Sequence, residues 1–254
     1  MFKRTAVLVV SCGAVLAGCG AGPEAESQEV VSNLLEAGFP AGDIQVHDGQ
    51  VFVGNDAHVT LEASRELLQP GEGSKEHHRT TNLVSTSVTK ICINPTSAFN
   101  SYTRLSQGLD LAIQNYNVLG LRITFARGPT TGCTANITAQ TMSGAGGSSG
   151  FPSGGMPYGT INIGTGLQSY SVDLNEHVIT HELGHAIGIR HTDYYDRTIS
   201  CGSGAGPEGT AGVGAILIPG TPSIDPDSLF NACFSSTATG EFSQYDVIAL
   251  NYLY

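Results

Sequence analysis

The residues from His181 to His191 have the types and the spacing of a zinc site with a catalytic carboxylate. The stretch reads His-Glu-Leu-Gly-His-Ala-Ile-Gly-Ile-Arg-His. On a helix, His181 and His185 lie one turn apart on the same face, so both imidazoles can reach one metal ion. Three protein ligands leave the fourth zinc position for water, as in catalytic zinc sites.

The third histidine of this stretch requires the helix to end. A ligand further along a continuing helix would point away from the metal, whereas glycine tolerates the left-handed conformation of a helix end. Gly188 is therefore predicted to end the helix, so that His191 completes the site with His181 and His185. Glu182 is predicted to take a proton from the zinc-bound water and to deliver it to the leaving amine.

The residues before the motif are typical of a buried helix, because they present an apolar face at helical spacing. This face is formed by Val178, Ile179, Leu183, Ala186 and Ile187. His177 also stands four residues before His181, but no turn would bring it to the metal. We interpret His177 as a surface histidine or as one that supports a ligand.

Composition excludes one class of partner. The chain has 254 residues, a formal net charge of −11, 33 glycines and only 13% charged residues. No basic patch is available to neutralise phosphates, so nucleic-acid binding is not expected. The length suits one or two domains, and the composition is typical of a loop-rich exported protein.

The first residues are typical of an export signal. Lys3 and Arg4 precede an apolar run over residues 5–15 that is too short to span a bilayer. The sequence Leu-Ala-Gly-Cys at residues 16–19 resembles a bacterial lipobox, with ordinary signal removal as the alternative. We predict a signal peptide over residues 1–18 and a lipoprotein anchored to a membrane or the cell surface through Cys19, with release on maturation left open.

Four cysteines remain after the two in the first nineteen residues are set aside. An even number in an exported chain is typical of disulfide bonds, and three pairings exist. We favour pairing between nearest neighbours, Cys92 with Cys133 and Cys201 with Cys233. This pairing places one bridge on each side of the zinc helix.

Residues 19–79 are predicted to form a tether and a small α/β prosegment. The patterns indicate a helix over 30–37, a hairpin with an Asp48-Gly49 turn and a helix over 61–68. Such a thin core suits a propeptide that leans on a larger domain, and a permanent amino-terminal subdomain is the alternative. Cleavage is expected near residues 74–82, and Asp56 is a candidate to cap the zinc before activation.

Residues 80–254 are predicted to form the catalytic domain. Strands are expected over 83–88, 90–93, 121–125, 135–141 and 160–163, with helices over 101–116 and 244–253. Ser243 and Asp246 form a capping box for the last helix. Residues 143–155 are predicted to be a flexible rim loop. The strand over 160–163 is predicted to be an edge strand that accepts an extended peptide.

These residues resemble the protease B-like, HEIGH-type metallopeptidases of bacteria, a metzincin-related group. The short hairpin of the prosegment and five further segments carry the resemblance, which covers roughly residues 30–254: residues 150–152, 181–193, 218–222, 231–233 and 249–254. The resemblance implies an α+β fold. In this fold, the small α/β prosegment comes first. It is followed by a two-lobed, metzincin-like zinc peptidase domain, which has a twisted mixed sheet and an active-site helix.

One departure concerns the methionine that metzincins place beneath the zinc. All three methionines precede His181, and Phe230 stands where the family would have methionine. Phenylalanine can fill an apolar floor with some strain. We expect zinc binding to be intact at a less well tuned site.

Several other side chains are candidates for supporting roles. Asp193 is predicted either to hydrogen-bond near the third ligand or to be an ordinary surface residue. Tyr158, Tyr194 and Tyr195 are candidates to stabilise the oxyanion, with a structural role as the alternative for each.

The sequence predicts an exported zinc endopeptidase that acts on a peptide or protein and is made as a zymogen. The predicted zinc ligands are His181, His185 and His191, and the predicted general base is Glu182. Two other functions remain open: a zinc amidase, and a surface-anchored binding lipoprotein on an inactive peptidase scaffold. Peptide specificity and oligomeric state remain open as well.

Overall fold

Helices pack against one mixed sheet in this protein. The computed structural model describes residues 22–68, 78–79, 82–208 and 216–254. The helices are α1 (Pro23–Glu36), α2 (Leu61–Leu67), α3 (Ser97–Ser101), α4 (Thr103–Val118), α5 (Val172–Ala186), α6 (Thr198–Cys201) and α7 (Gln244–Leu253). The strands are β1 (Gln45–His47), β2 (Gln50–Val53), β3 (Ala57–His58), β4 (His78–Arg79), β5 (Lys90–Pro95), β6 (Thr124–Arg127), β7 (Ala135–Met142), β8 (Gly147–Gly150), β9 (Thr160–Gly164) and β10 (Ile216–Leu217).

Eight of these strands form a single sheet in the order β1-β2-β3-β8-β9-β7-β5-β6. Strands β5, β6, β7 and β9 run parallel, and β8 is antiparallel to β9. The first three strands form an antiparallel meander that joins the sheet where β3 pairs in parallel with β8. The amino-terminal segment is thus continuous with the sheet that carries the site.

The prediction of an edge strand over residues 160–163 was wrong, because β9 lies inside the sheet between β8 and β7. Strand β8 lies in the segment predicted to be a flexible rim loop. Glycine suggested flexibility there, but it has a steric role: a Cβ on Gly147 would lie 2.3 Å from Oε1 of Glu182. Glycine in a strand often marks such a close approach.

Two apolar clusters hold the fold together. The larger one lies between the sheet and helices α4 and α5, and it includes Ile93, Leu109, Ile137, Val178 and Leu183. The smaller one belongs to the amino-terminal segment, but it also takes in Phe151, which follows β8. The predicted thin core of the amino-terminal segment is therefore completed from outside the segment.

Several local predictions are confirmed. Asp48 and Gly49 both have positive φ angles, 50° and 78°, in the turn of the β1–β2 hairpin, as a tight hairpin turn requires. The bridges Cys92–Cys133 and Cys201–Cys233 are both formed. The capping box of Ser243 and Asp246 begins α7.

Other predictions were wrong or fall outside the described residues. Helix α1 begins at Pro23 rather than at residue 30, since proline is well suited to a first helical position. Residues 83–88 are irregular, with a turn at residues 86–87, instead of a strand. The predicted signal peptide, Cys19 and most of the predicted cleavage region lie outside the described residues. Within the described part of the chain, no helix is both long and apolar enough to cross a bilayer.

Candidate active site

Helix α5 carries the first part of the site and is buried along most of its length. The Ser171 hydroxyl caps its first turn by accepting a hydrogen bond from the Leu174 backbone N–H, at 3.1 Å. Every residue from Leu174 to Ala186 is buried. The helix ends as predicted, because Gly188 has a φ angle of 107° that turns the chain back toward the helix.

Three imidazoles converge beside this helix end. The Nε2 atoms of His181 and His185 lie 3.1 and 3.2 Å from Nε2 of His191. Each Nδ1 faces an oxygen instead: the Leu229 carbonyl at 3.0 Å for His181 and the Ile189 carbonyl at 2.7 Å for His185. A carbonyl can only accept, so these Nδ1 atoms carry the protons and the Nε2 lone pairs face a common point.

The carboxylate of Asp56 approaches the same point from the amino-terminal segment. Its Oδ2 lies 3.2 Å from Nε2 of His191 and 3.7 Å from Nε2 of His181. Its Oδ1 lies 3.7 Å from Nε2 of His185. One donor atom from each of these four residues falls within 4.8 Å of the others. The structure therefore brings the three predicted ligands and the proposed cap together.

The geometry of this donor set fits a zinc ion. Zinc–nitrogen distances of about 2.0–2.1 Å in a tetrahedron place the nitrogens about 3.3–3.4 Å apart, close to the observed separations. Oδ1 of Asp56 is buried and has no hydrogen-bond partner among the described residues. An unpaired buried carboxylate oxygen is unfavourable, and a cation at the common point would remove this cost.

The electrostatics of the donor set also favour a cation. Burial lowers the pKa of His185 to about 3, so this imidazole is neutral and free to ligate. Burial opposes charge on His191 too, but the carboxylates of Asp56 and Glu208 raise its pKa well above its ordinary value. The surroundings of His191 therefore stabilise positive charge, which a metal ion can supply in place of a proton.

Glu182 lies beside this donor set. Its side chain is buried, and burial followed by the negative charge of Asp56 raises its pKa well above the ordinary range. Glu182, His181, Asp56 and Gly147 line one cavity of about 190 Å³, which we call the active-site cleft. A carboxylate whose pKa is raised holds an accepted proton long enough to return it to another group.

Comparison with known proteins agrees with this chemistry. Residues 51–254 match the family described as dual-action HEIGH metallo-peptidase. The chain belongs to this family. The predicted metal cofactor of this metallopeptidase is thereby confirmed, and neutral imidazole nitrogens in this number are the ligands of catalytic zinc. The match begins within β2 and so includes Asp56.

Two solved structures are similar to parts of this metallopeptidase. Myroilysin is 16% identical with a TM-score of 0.46, covering 68% of this chain and 94% of that chain. The high choriolytic enzyme 1, a hatching enzyme zinc-protease from Oryzias latipes, is 16% identical with a TM-score of 0.43, covering 68% and 92%. The search of curated proteins found no match.

Phe230 forms the floor of the metallopeptidase site, where its family resemblance predicted methionine. The ring is buried, and its centroid lies 6.3 Å from that of His181. A Cβ on Gly184 would lie 2.1 Å from the Phe230 ring, so the glycine makes room for it. Gly184, the residue before His185, has no side chain and therefore leaves space for the phenylalanine ring. This space relieves the strain expected from phenylalanine at this position.

A buried carboxylate that no sequence pattern predicted supports the third predicted ligand. Oε1 of Glu208 accepts a hydrogen bond from Nδ1 of His191 at 2.5 Å. Arg190 and Arg197 flank this carboxylate at 4.0 and 3.7 Å, and Arg197 also binds Asp43 of the amino-terminal segment at 3.1 Å. No spacing signal marks Glu208, because it stands 17 positions after His191, beyond the short helix α6.

The substitution Glu208→Gln is expected to weaken zinc affinity by about 10- to 100-fold, the usual effect of losing a carboxylate that orients a histidine ligand. Glutamine can still accept the hydrogen bond but does not stabilise the imidazole by charge. Zinc competition with a fluorescent chelator measures the affinity. Glu241→Gln is the matched control on the same domain, and equal affinities for the two variants would contradict the assignment.

The remaining candidates from the sequence have structural partners. Asp193 is buried and accepts hydrogen bonds from the Ser200 hydroxyl and the Ala232 backbone, at 2.5 and 2.9 Å, so it is not a surface residue. The Tyr158 hydroxyl lies 2.7 Å from Nδ1 of His58, and the Tyr195 hydroxyl donates to the Ser223 carbonyl at 2.6 Å.

Tyr194 and His177 are both buried and packed against other side chains. Tyr194 is buried and packs on the Arg190 guanidinium, 4.9 Å from the ring centroid. His177 is also buried, with Phe234 packed on its ring at 5.3 Å between centroids. The prediction of a surface histidine was therefore wrong, because the carboxyl-terminal segment covers it.

Proposed function

We propose that this metallopeptidase is a zinc endopeptidase that hydrolyses internal bonds of peptide or protein substrates. The observation that carries the proposal is the convergence of three buried Nε2 atoms beside the cleft that His181 and Glu182 line. In this proposal His181, His185 and His191 hold the zinc ion. Glu182 does not bind the metal and is the general base.

The chain's own residues divide the reaction between them. A zinc ion bound there supplies a Lewis acid, which polarises the scissile carbonyl and lowers the pKa of water. Glu182 takes the proton of the attacking water on its carboxylate and then delivers it to the amine nitrogen of the leaving group. The hydrogen bonds at Nδ1 hold the three imidazoles in the tautomer that leaves Nε2 free.

We infer that the chain is made as a zymogen in which Asp56 occupies the position that water needs. Three contacts support the inference. Asp56 lies within 3.7 Å of all three Nε2 atoms. Strand β3 pairs with β8 beside the cleft. A Cβ on Gly54 would lie 3.0 Å from the His191 ring, so the backbone is packed against the ligand.

We also propose export, with the chain anchored as a lipoprotein through Cys19. The basic start, the apolar run and the lipobox-like sequence support this location. Two disulfide bonds in a chain of this size add to the support, because they persist in oxidising compartments.

Metal content and hydrolysis of casein by residues 20–254 test the proposed function. We expect one zinc ion per chain, and cleavage that a chelator abolishes and added zinc restores. The assay includes the Asp56→Ala chain, so that latency does not hide activity. One zinc per chain without cleavage by either protein would overturn the endopeptidase proposal in favour of an amidase or a binding protein.

A further inference from the structure

A second cavity lies next to the active-site cleft and has no part in the mechanism above. It has a volume of about 340 Å³, and its lining includes His177, Asp227, Leu229, Asn231, Phe234 and Glu241. We call it the acceptor cavity. Phe234 borders both cavities, and the Leu229 carbonyl accepts the hydrogen bond from the ligand His181. The two cavities are therefore neighbours.

The lining of the acceptor cavity contains a buried imidazole with one unused nitrogen. Nδ1 of His177 lies 2.8 Å from the Thr239 carbonyl, which can only accept, so Nδ1 carries the proton. Nε2 is then an acceptor, and it has no hydrogen-bond partner among the described residues. Burial lowers the pKa of His177 to about 4, which keeps the ring neutral.

Asn231 supplies a second unused acceptor. Its Nδ2 donates to the carbonyls of Asp225 and Pro226, at 3.0 and 3.1 Å, which fixes the orientation of the amide. Its Oδ1 is buried and has no partner among the residues that the structure describes. Both acceptors belong to residues that line this cavity, and a ligand with hydrogen-bond donors could satisfy them.

The rim of the acceptor cavity is acidic. Asp227 and Glu241 are exposed there, and no lysine or arginine of the described chain lines the cavity. The aromatic ring of Phe234 forms part of the wall and is partly exposed. Carboxylates and an aromatic face both attract a guanidinium group, which carries five N–H donors in one plane.

We propose that the acceptor cavity binds a basic side chain of the substrate, arginine above all, close to the scissile bond. The proposal rests on the proposed function and adds substrate class to it. His177 lies four residues before His181 on α5, about 6 Å along the helix axis. One residue of an extended peptide spans about 3.3–3.6 Å, so the bound side chain lies within about two residues of the bond that is cut.

Matched peptides test the preference. Each peptide carries arginine, its neutral isostere citrulline, or glutamate at one position within two residues of a mapped cleavage site. Full-chain protein is used with Asp56 intact and as Asp56→Ala. We expect kcat/KM for arginine to exceed that for citrulline by about tenfold or more, because citrulline keeps N–H donors but lacks the positive charge that the rim carboxylates attract.

Variants connect the preference to the cavity. Glu241→Gln and Asp227→Asn together are expected to reduce the arginine-to-citrulline ratio by about tenfold, whereas Glu36→Gln on α1 leaves it unchanged. Both carboxylates are exposed, so these variants keep the fold. His177→Phe removes a neutral acceptor at similar ring size and is expected to lower kcat/KM for the arginine and citrulline peptides alike, since both side chains carry N–H donors. An unchanged ratio in the double variant would overturn the proposal.

A binding measurement separates this inference from the proposed function. Nα-acetyl-arginine amide and Nα-acetyl-citrulline amide are titrated by NMR into the full chain carrying Glu182→Ala. Selective binding of the arginine compound that is lost in the double variant supports the subsite even if no peptide is cleaved. Cleavage without preference, together with equal binding of the two compounds, leaves the endopeptidase standing and overturns the subsite.

Discussion

Replacing Glu182 with alanine is expected to lower kcat for peptide hydrolysis by about 10²- to 10⁴-fold, the usual contribution of general acid–base catalysis. Glu182 is buried in the active-site cleft beside His181, yet none of the four convergent donor atoms belongs to it. Zinc content should therefore stay at one ion per chain. The measurement is kcat on a peptide substrate, with zinc determined on the same samples.

The design of this experiment separates catalysis from metal binding and from latency. Glu182→Ala is made in the Asp56→Ala chain, so that the wild-type cap does not suppress the reference activity. Glu182→Gln keeps the shape of the side chain but cannot take the proton, and we expect an equally large loss. Asp173→Asn, at an exposed position in the first turn of the same helix, is the matched control. Retained turnover in Glu182→Ala would exclude the assigned role.

Replacing Asp56 with alanine is expected to increase peptide hydrolysis by the uncleaved chain by about tenfold or more. A carboxylate that competes with water at the metal needs a net advantage of only about 1.4 kcal/mol to reduce the active fraction tenfold. Asp56 lies close to all three Nε2 atoms, so its removal opens the position without changing the histidines. Initial rates on a quenched-fluorescence peptide measure the effect.

Two further measurements make the role of Asp56 falsifiable. In the cobalt-substituted protein, loss of an oxygen ligand should change the visible absorption spectrum, which reports coordination independently of turnover. Asp56→Asn keeps the size of the side chain and should give an intermediate rate. Glu62→Gln on α2 is the control, since it removes a carboxylate elsewhere in the same segment. Unchanged rate and spectrum in Asp56→Ala would show that the cap does not contact the metal.

The features that could be predicted from the sequence are those encoded within a few residues of each other. Helical spacing places His181 and His185 on one face, and the backbone freedom of Gly188 ends the helix. The capping box of Ser243 and Asp246 and the turn at Asp48-Gly49 are equally local. Each of these depends on chemistry within one or two turns of chain, so no knowledge of the fold is needed.

The features that could not be predicted depend on contacts between distant segments. Strand β3 has only two residues and no periodicity, so its pairing with β8 leaves no pattern. Glu208 reaches His191 across the loops on either side of the short helix α6. The glycines in residues 143–155 suggest a flexible loop when the sequence is read alone. In the folded protein, position 147 must be glycine because the Glu182 side chain packs directly against it. Close packing of this kind is a property of the assembled sheet.

The continuity of the sheet across β3 and β8 has a consequence for folding. The meander of β1, β2 and β3 provides β8 with its outer neighbour, and Phe151 is buried in the core of the amino-terminal segment. A chain that begins after this segment would present β8 as an unpaired edge and expose Phe151, and unpaired edges promote aggregation. We therefore expect the amino-terminal segment to act as a template during folding, and refolding without it to give aggregates rather than active protein.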